Sequence, residues 1–263
     1  MQPFFSIIIP TLNEEVNLPI LLESLAKQTY RDFEVIVSDS NSEDKTREKA
    51  LSFSQKLPKL IFIAKPKRNV SIARNNGAKA ANGEYLVFLD ADVKIEEKFL
   101  EGIKKHIKKD KVKFLTLWNR SESKKLIGKV IFALLNSLVT LFAKIKPSVN
   151  GPCMVVEWEL FRKTGGFDPE IIFGEDSDFA QKVHSLGERL RVYQKPIIYV
   201  SMRRFEKEGF LKSTGKSIYA FFYDLIFGPI KKPIFDYEMG GQYYKKNQTC
   251  LPARQGSKIK DQN

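Results

Sequence analysis

Two aspartates close one of the most apolar stretches of the chain. Glu84–Lys94 reads EYLVFLDADVK, five apolar or aromatic residues running into Asp90-Ala91-Asp92. A D-x-D spacing at a strand end can set two carboxylates on one hard divalent cation. Magnesium and manganese accept such ligands while bridging substrate phosphates. The sequence has no G-x-x-x-x-G-K-[ST] loop and no G-x-G-x-x-G turn. A bound nucleotide would therefore have its diphosphate handled by a metal rather than by a glycine cradle.

A second acidic group, Gly174-Glu175-Asp176-Ser177-Asp178, follows the glycine-rich Gly165-Gly166-Phe167-Asp168. A carboxylate there can take a proton from an attacking hydroxyl. The same run opens a helix expected over Asp176–Leu186, whose first turn favours negative charge, so N-terminal capping is the competing reading. Arg74, in VSIARNNG just ahead of the D-x-D strand, supplies a cation able to share the charge of a phosphate. Its bland alternative is a surface arginine.

These groups need elements to position them. Phe4–Pro10, Phe33–Ser38, Leu60–Ala64 and Tyr85–Leu89 are short apolar runs, as strands buried on both faces should be. Between them, Asn17–Gln28, Ser42–Gln55 (with Ser42 as N-cap) and Ser71–Ala81 carry helical patterns, the last stopped by Asn82-Gly83. The alternation predicts an α/β fold, a mostly parallel sheet with helices on both faces. In such sheets ligands bind beyond the carboxyl ends of the strands. Thr11 and Asn13, Asp39, and Asp90 with Asp92 then converge from three strand ends on one edge. Turn-forming Asn and Asp are the structural alternative.

The second half is less regular. Phe114–Trp118 reads as a strand, and Lys104–Lys113 as the solvated face of a helix. Leu126–Ile145 is strongly apolar, with Lys129, Asn136, Ser137, Thr140 and Lys144 on one helical stripe. Its longest uncharged stretch is too short for an ordinary membrane span, which leaves a core helix or one lying in a membrane interface. Ile218–Ile230 poses the same choice, with aromatics and flanking lysines of the kind headgroups favour.

The totals bound the partners. The chain has 263 residues and a net charge of +13, which predicts attraction to something anionic. Its basic residues are scattered without an aromatic-interleaved recognition motif, so nucleic acid is not expected. Cys153 and Cys250 are far apart and only two histidines occur, so neither a disulfide framework nor a zinc site is expected. The first fifteen residues place no basic residue ahead of their short apolar run, and no signal peptide is expected.

FSIIIPTLNEE, VIVSDSNSEDKT, SIARNNGAKAANGEYLVFLDADV and GGFDPEIIFGEDSDFAQKV, in that order, resemble glycosyltransferase family 2. The resemblance implies a GT-A fold with a Rossmann-like sheet over 1–205, split into a donor half of about 1–95 and an acceptor or catalytic half of about 96–205. Apolar helices would occupy the C-terminal half, with an amphipathic extension over 206–244 and a disordered tail over 245–263.

It also implies roles. Pro10, Thr11, Asn13 and Glu14 match the first donor-binding loop, and Asp39 the carboxylate that contacts the nucleobase. Arg74 matches a donor-site arginine. Asp90 and Asp92 match the D-x-D that holds ribose and metal. Asp176 matches the catalytic base of an inverting enzyme, with Glu175 positioning a substrate. Gly151, Arg203 and Arg204 are carried as candidates for acceptor or phosphate contact. The Q-x-x-R-W motif of processive synthases is absent.

The implied partners are a nucleotide-diphospho-sugar, Mn²⁺ or Mg²⁺, a lipid-linked or glycan acceptor, and an anionic membrane surface on the cytoplasmic side. The implied context is cell-envelope glycan or glycolipid synthesis. A catalytically inactive nucleotide-sugar-binding protein of the same fold is the alternative.

Overall fold

The structure, a computed structural model, describes residues 2–123, 125–149, 151–203 and 209–231. Arg204 and the tail expected over 245–263 lie outside the described residues, as does much of the extension expected over 206–244.

Strands β1 (Phe5–Thr11), β2 (Phe33–Asp39), β3 (Leu60–Ala64) and β4 (Tyr85–Leu89) pair in parallel, connected by helices α1 (Leu18–Ala26), α2 (Thr46–Leu51) and α3 (Val70–Ala80). Alternate residues of each strand enter different cores. Ile7, Ile9, Val35, Val37, Val87 and Leu89 pack on one face of the sheet, and Ile8, Ile36, Leu86 and Phe88 on the other. A sheet covered on both faces needs apolar residues at every position, which is why these strands appear in the sequence as runs.

Beyond β4 the sheet changes direction. β7 (Cys153–Glu157) pairs antiparallel with β4, followed by β6 (Phe114–Ser121), β8 (Arg191–Val200) and the short β5 (Val93–Ile95), giving the order β3-β2-β1-β4-β7-β6-β8-β5. Helices α4 (Phe99–Asp110), α5 (Leu126–Phe142), α6 (Trp158–Thr164), α7 (Glu175–Ser185) and α8 (Phe210–Phe227) complete the described elements. This is the mostly parallel α/β sheet that the alternation predicts.

Register delivers the polar groups together. Thr11 pairs with Asp39 across β1 and β2, and Asp90 follows β4 directly. α3 lies hard against β1, where a Cβ at Gly77 would overlap Ile8 Cγ2. That close approach carries Arg74, one turn earlier, to the strand ends.

One expectation is corrected. The helix expected from Ser42 begins at Thr46, with Lys45 at its N-cap. Ser42 instead donates its backbone N–H (2.7 Å) and hydroxyl (2.6 Å) to the Asp39 carboxylate, and Asp44 Oδ1 accepts from Thr46 N at 3.0 Å. Such local side-chain bonds compete with helix and hold the segment as turns. In α5 the polar stripe divides: Lys129, Ser137, Thr140 and Lys144 are exposed, and Asn136 is buried. Asn136 points inward, accepting from Asn119 N at 3.0 Å and donating to Asn119 O at 2.8 Å. Leu126, Val130, Leu134 and Leu141 also face outward. Among the described residues, no helix is long and apolar enough to cross a membrane.

Candidate active site

At the carboxyl ends of β1 and β4 the chain encloses a cavity of about 340 Å³. Pro10, Thr11, Glu14, Arg74, Asp90, Asp92, Gly151, Glu175, Asp176 and Arg203 all line it. The structure therefore gathers ten of the expected site residues from six separate stretches of chain. Asn13 and Asp39 are not among the lining residues. They brace the loop behind it: Asp39 accepts from the Thr11 hydroxyl at 2.8 Å, and Asn13 N donates to Ser42 Oγ at 2.7 Å.

Arg74 is the centre of the charge network. Its side chain is 3% exposed, with Nη1 donating to Glu175 Oε1 at 2.7 Å and Nη2 to Asp90 Oδ1 at 3.0 Å. Its guanidinium lies over the Phe167 ring, 5.3 Å from the centroid. A surface arginine is thus excluded. Burial works against its charge, yet Asp90, then Glu175 and Asp176, hold its pKa above the ordinary arginine value.

Asp176 sits on the first turn of α7, entered through Gly174 at φ 83°, a backbone conformation that glycine adopts without strain. Burial first, then the Glu175 charge, pushes its carboxyl up to about 8, against the pull of Arg74. Burial likewise lifts Asp90 to about 6, with Arg74 opposing and Asp92 assisting. Gly151 closes over this group: a Cβ there would stand 2.9 Å from Asp176 Oδ2.

The second cation is Arg203, after β8. It donates to Glu14 Oε2 at 2.7 Å and Oε1 at 2.6 Å, and its Nη2 lies 3.2 Å from Asp92 Oδ2. Burial raises the Glu14 pKa although Arg203 works to lower it. Nothing in sequence joins residues 189 apart, so the Glu14–Arg203 pair was not readable there. Asp224, Asn119 and the bonded Ser148–Ser177 hydroxyls (2.6 Å) also line the cavity. Asp224 has one sequence signal, as the only charge in the apolar Ile218–Ile230 run.

One consequence is measurable in the free protein. Asp90 and Asp176 have folded pKa values above their ordinary one, so their ionisation costs stability as pH rises through about 6 and about 8. Arg74 offsets that cost. Replacing it with methionine leaves the part-buried carboxylates of Asp90, Glu175 and Asp176 uncompensated and should cost roughly 1–3 kcal/mol at pH 9. The loss should shrink towards pH 5, where both carboxyls are protonated. Urea denaturation at the two pH values checks this, and an equal loss at both would sink the ion-pair account.

The acidic groups suit a cation. Lining the cavity are six carboxylates (Glu14, Asp90, Asp92, Glu175, Asp176, Asp224) and two guanidiniums, an excess of four negative charges when all are ionised. Among the described residues, no cluster of three or more His, Cys, Asp or Glu could hold a metal unaided. Asp90 and Asp92 could offer two hard oxygen ligands, and Mg²⁺ commonly binds through one or two carboxylates with substrate phosphates supplying others.

Comparison with known proteins gives consistent results. The family model for glycosyl transferase family 2 matches residues 6–146, and that for glycosyl transferase family group 2 matches residues 85–221. A PGL/p-HBAD biosynthesis glycosyltransferase of Mycobacterium bovis is 43% identical over 96 residues, which are 36% of this chain and 38% of the relative. This chain therefore aligns with well under half of that relative's length. Staphylococcus aureus TarS 1-349 in complex with UDP-GlcNAc superposes with a TM-score of 0.63 at 26% identity, over 75% of this chain and 58% of that one. The mannosyltransferase PcManGT of Pyrobaculum calidifontis, solved with GDP-Man and Mn²⁺, gives 0.66 at 23% identity, over 83% and 65% of the two chains, a likeness of fold.

Proposed function

The chain belongs to glycosyl transferase family 2, and from that premise we propose that it moves a sugar from a nucleotide-diphospho-sugar to an acceptor hydroxyl with inversion at the anomeric carbon. The observation that carries this reading is the placement of Asp176 in the same cavity as Asp90, Asp92 and Arg74. The acceptor O–H gives its proton to the Asp176 carboxylate as its oxygen bonds to the anomeric carbon. The bond from that carbon to the diphosphate breaks, and its electron pair leaves with the nucleoside diphosphate. One base across the cavity from the departing phosphate is sufficient, and no covalent enzyme intermediate is needed.

The donor side must accept a diphosphate among carboxylates. Both arginines there are already paired, so an anionic donor alone would be repelled. Asp90 and Asp92 would hold Mn²⁺ or Mg²⁺, which when bound supplies charge stabilisation for the leaving diphosphate. Arg203 can exchange Glu14 and Asp92 for a phosphate, and Glu175 keeps Arg74 in place. The donors named for the similar structures, UDP-GlcNAc and GDP-Man, set the first panel.

We place the reaction at the cytoplasmic face of a membrane, in cell-envelope glycan or glycolipid synthesis. Two features support this: the +13 charge and the outward apolar residues of α5, the turn that follows it, and α8. Leu126, Leu141 and Ile145 are 75%, 68% and 77% exposed, and Ile226 and Phe227 are 69% and 72% exposed. Apolar faces with lysines beside them suit an interface between water and anionic lipid.

The test is nucleoside-diphosphate release from UDP-, GDP- and dTDP-sugars with manganese, with and without anionic lipid vesicles. Release from one donor class, increased by vesicles that co-sediment the protein, is expected. Failure to release or bind any donor overturns the transferase reading, and failure to sediment with vesicles at low salt overturns the membrane placement alone.

A further inference from the structure

The cavity extends past Asp176 into a compartment between α5, α7 and α8. Its walls are apolar: Leu135, Leu138 and Val139 from α5, Phe221 from α8, and Ile230. The two helices are joined where the rings of Phe142 and Phe221 meet edge to face at 5.3 Å. Into this apolar compartment α8 brings one carboxylate, Asp224, which is 7% exposed. Asp224 Oδ2 accepts from Gln181 Nε2 on α7 at 3.0 Å. Oδ1 is buried and has no hydrogen-bond partner among the described residues.

A buried carboxylate oxygen without a donor is costly, and its persistence needs an explanation. The surrounding charges do not supply one. Lys146 donates to the Asp224 backbone carbonyl, and its charge is felt at the carboxyl, as is that of Asp178 in the opposite sense. Burial nonetheless raises the Asp224 pKa. Among the described lining residues, the basic ones are Arg74 and Arg203. Both are engaged on the donor side, so among the described residues the acceptor compartment is lined by carboxylates without a lining cation, and the nearby Lys146 is held on the Asp224 backbone carbonyl.

We propose that Asp224 accepts a hydrogen bond from a hydroxyl of the acceptor, and that the acceptor is a neutral, hydroxyl-bearing amphiphile that attacks through an alcohol rather than through a phosphate oxygen. The inference rests on the transferase reading and narrows its acceptor. A bare lipid phosphate would bring negative charge against Asp176 and Asp224 and would have no proton to give the base. An alcohol supplies that proton to Asp176, and a neighbouring hydroxyl donates to Asp224 Oδ1. The apolar walls take the hydrocarbon part. The Gln181 bond links Asp224 to the helix bearing Asp176, so acceptor and base are held by one pair of helices.

The experiment compares wild type and Asp224→Asn with manganese, the donor found in the release assay, and two acceptor probes: a set of octyl glycosides and undecaprenyl phosphate. Wild type should glycosylate an octyl glycoside and leave the lipid phosphate unused. Asp224→Asn should raise the octyl glycoside KM roughly tenfold, as loss of a hydrogen bond to a charged group does, with the donor Kd by calorimetry unchanged. A purely structural role would lower Tm and weaken donor and acceptor together.

Undecaprenyl phosphate as the better wild-type acceptor overturns the proposal, as does an unaltered octyl glycoside KM in the variant. If Asp224→Asn does not fold, the wild-type preference between the two acceptors decides for or against the proposal. Absence of donor binding by wild type would instead strike the underlying transferase reading.

Discussion

Asp176→Asn should keep its donor and lose transfer by roughly 10²–10⁴-fold, the usual contribution of a positioned general base. The substitution preserves shape and leaves the Ser177 N–H, 2.8 Å from Asp176 Oδ1, an amide oxygen to bond. Donor affinity should survive, because Asp90, Asp92 and Arg203, the groups proposed to meet the donor, keep their side chains in the variant. A second signature is the pH profile. The base works only when ionised, and burial with the Glu175 charge pushes its carboxyl up to about 8. Wild-type kcat/KM for the acceptor should therefore rise with pH through that region, and the rising limb should vanish in the variant. Rates measured from pH 6 to 9 decide the matter. A variant that keeps the limb, or loses only a few-fold in rate, would leave Asp176 as a helix-capping carboxylate.

That capping alternative is weakened by how the site is built. A capping acid at an exposed first turn needs no partner from another element. Asp176 instead shares a part-buried cluster with Glu175, Arg74 and Asp90, drawn from α7, α3 and the end of β4. Three elements distant in sequence would not maintain a cluster of like charges for the sake of one cap. The cluster is costly to the fold, as its raised carboxyl pKa values indicate, and such local costs are characteristic of functional sites.

The donor half was legible because its physics is local and repetitive. A parallel sheet covered on both faces writes its strands as apolar runs, and the residue after each run falls at the ligand edge. Thr11, Asp39, Asp90 and Asp92 could be placed on that ground alone. The acceptor half follows no such rule. β7 is five residues of CMVVE and β5 is three residues of VKI, too short for periodicity to identify. α5 stays open between core and interface in the sequence because its outward face mixes Lys129, Ser137 and Thr140 with Leu126, Val130 and Leu134, while Asn136 satisfies a backbone inside the protein. Asp39 ends β2 at that edge, and its bonds from Thr11 and Ser42 are ones no spacing could reveal.

Asp92→Ala should lower turnover by roughly 10²–10³-fold at low manganese, because stabilising a departing diphosphate is worth several kcal/mol. The competing account is that Asp92 only steers Arg203, 3.2 Å away. The two accounts differ in their response to metal. If Asp92 is a ligand, the variant needs a higher manganese concentration for half-maximal rate, and excess manganese restores part of the loss. If Asp92 merely orients Arg203, the manganese dependence is unaltered and Arg203→Met reproduces the defect. Stability separates them no further, since the Glu14–Arg203 bonds of 2.6 and 2.7 Å persist without Asp92 and a partly exposed ion pair contributes little. A manganese titration of the two variants beside wild type therefore carries the decision. A metal curve shifted in Asp92→Ala and unshifted in Arg203→Met assigns the metal to the D-x-D pair and leaves Arg203 to the phosphates.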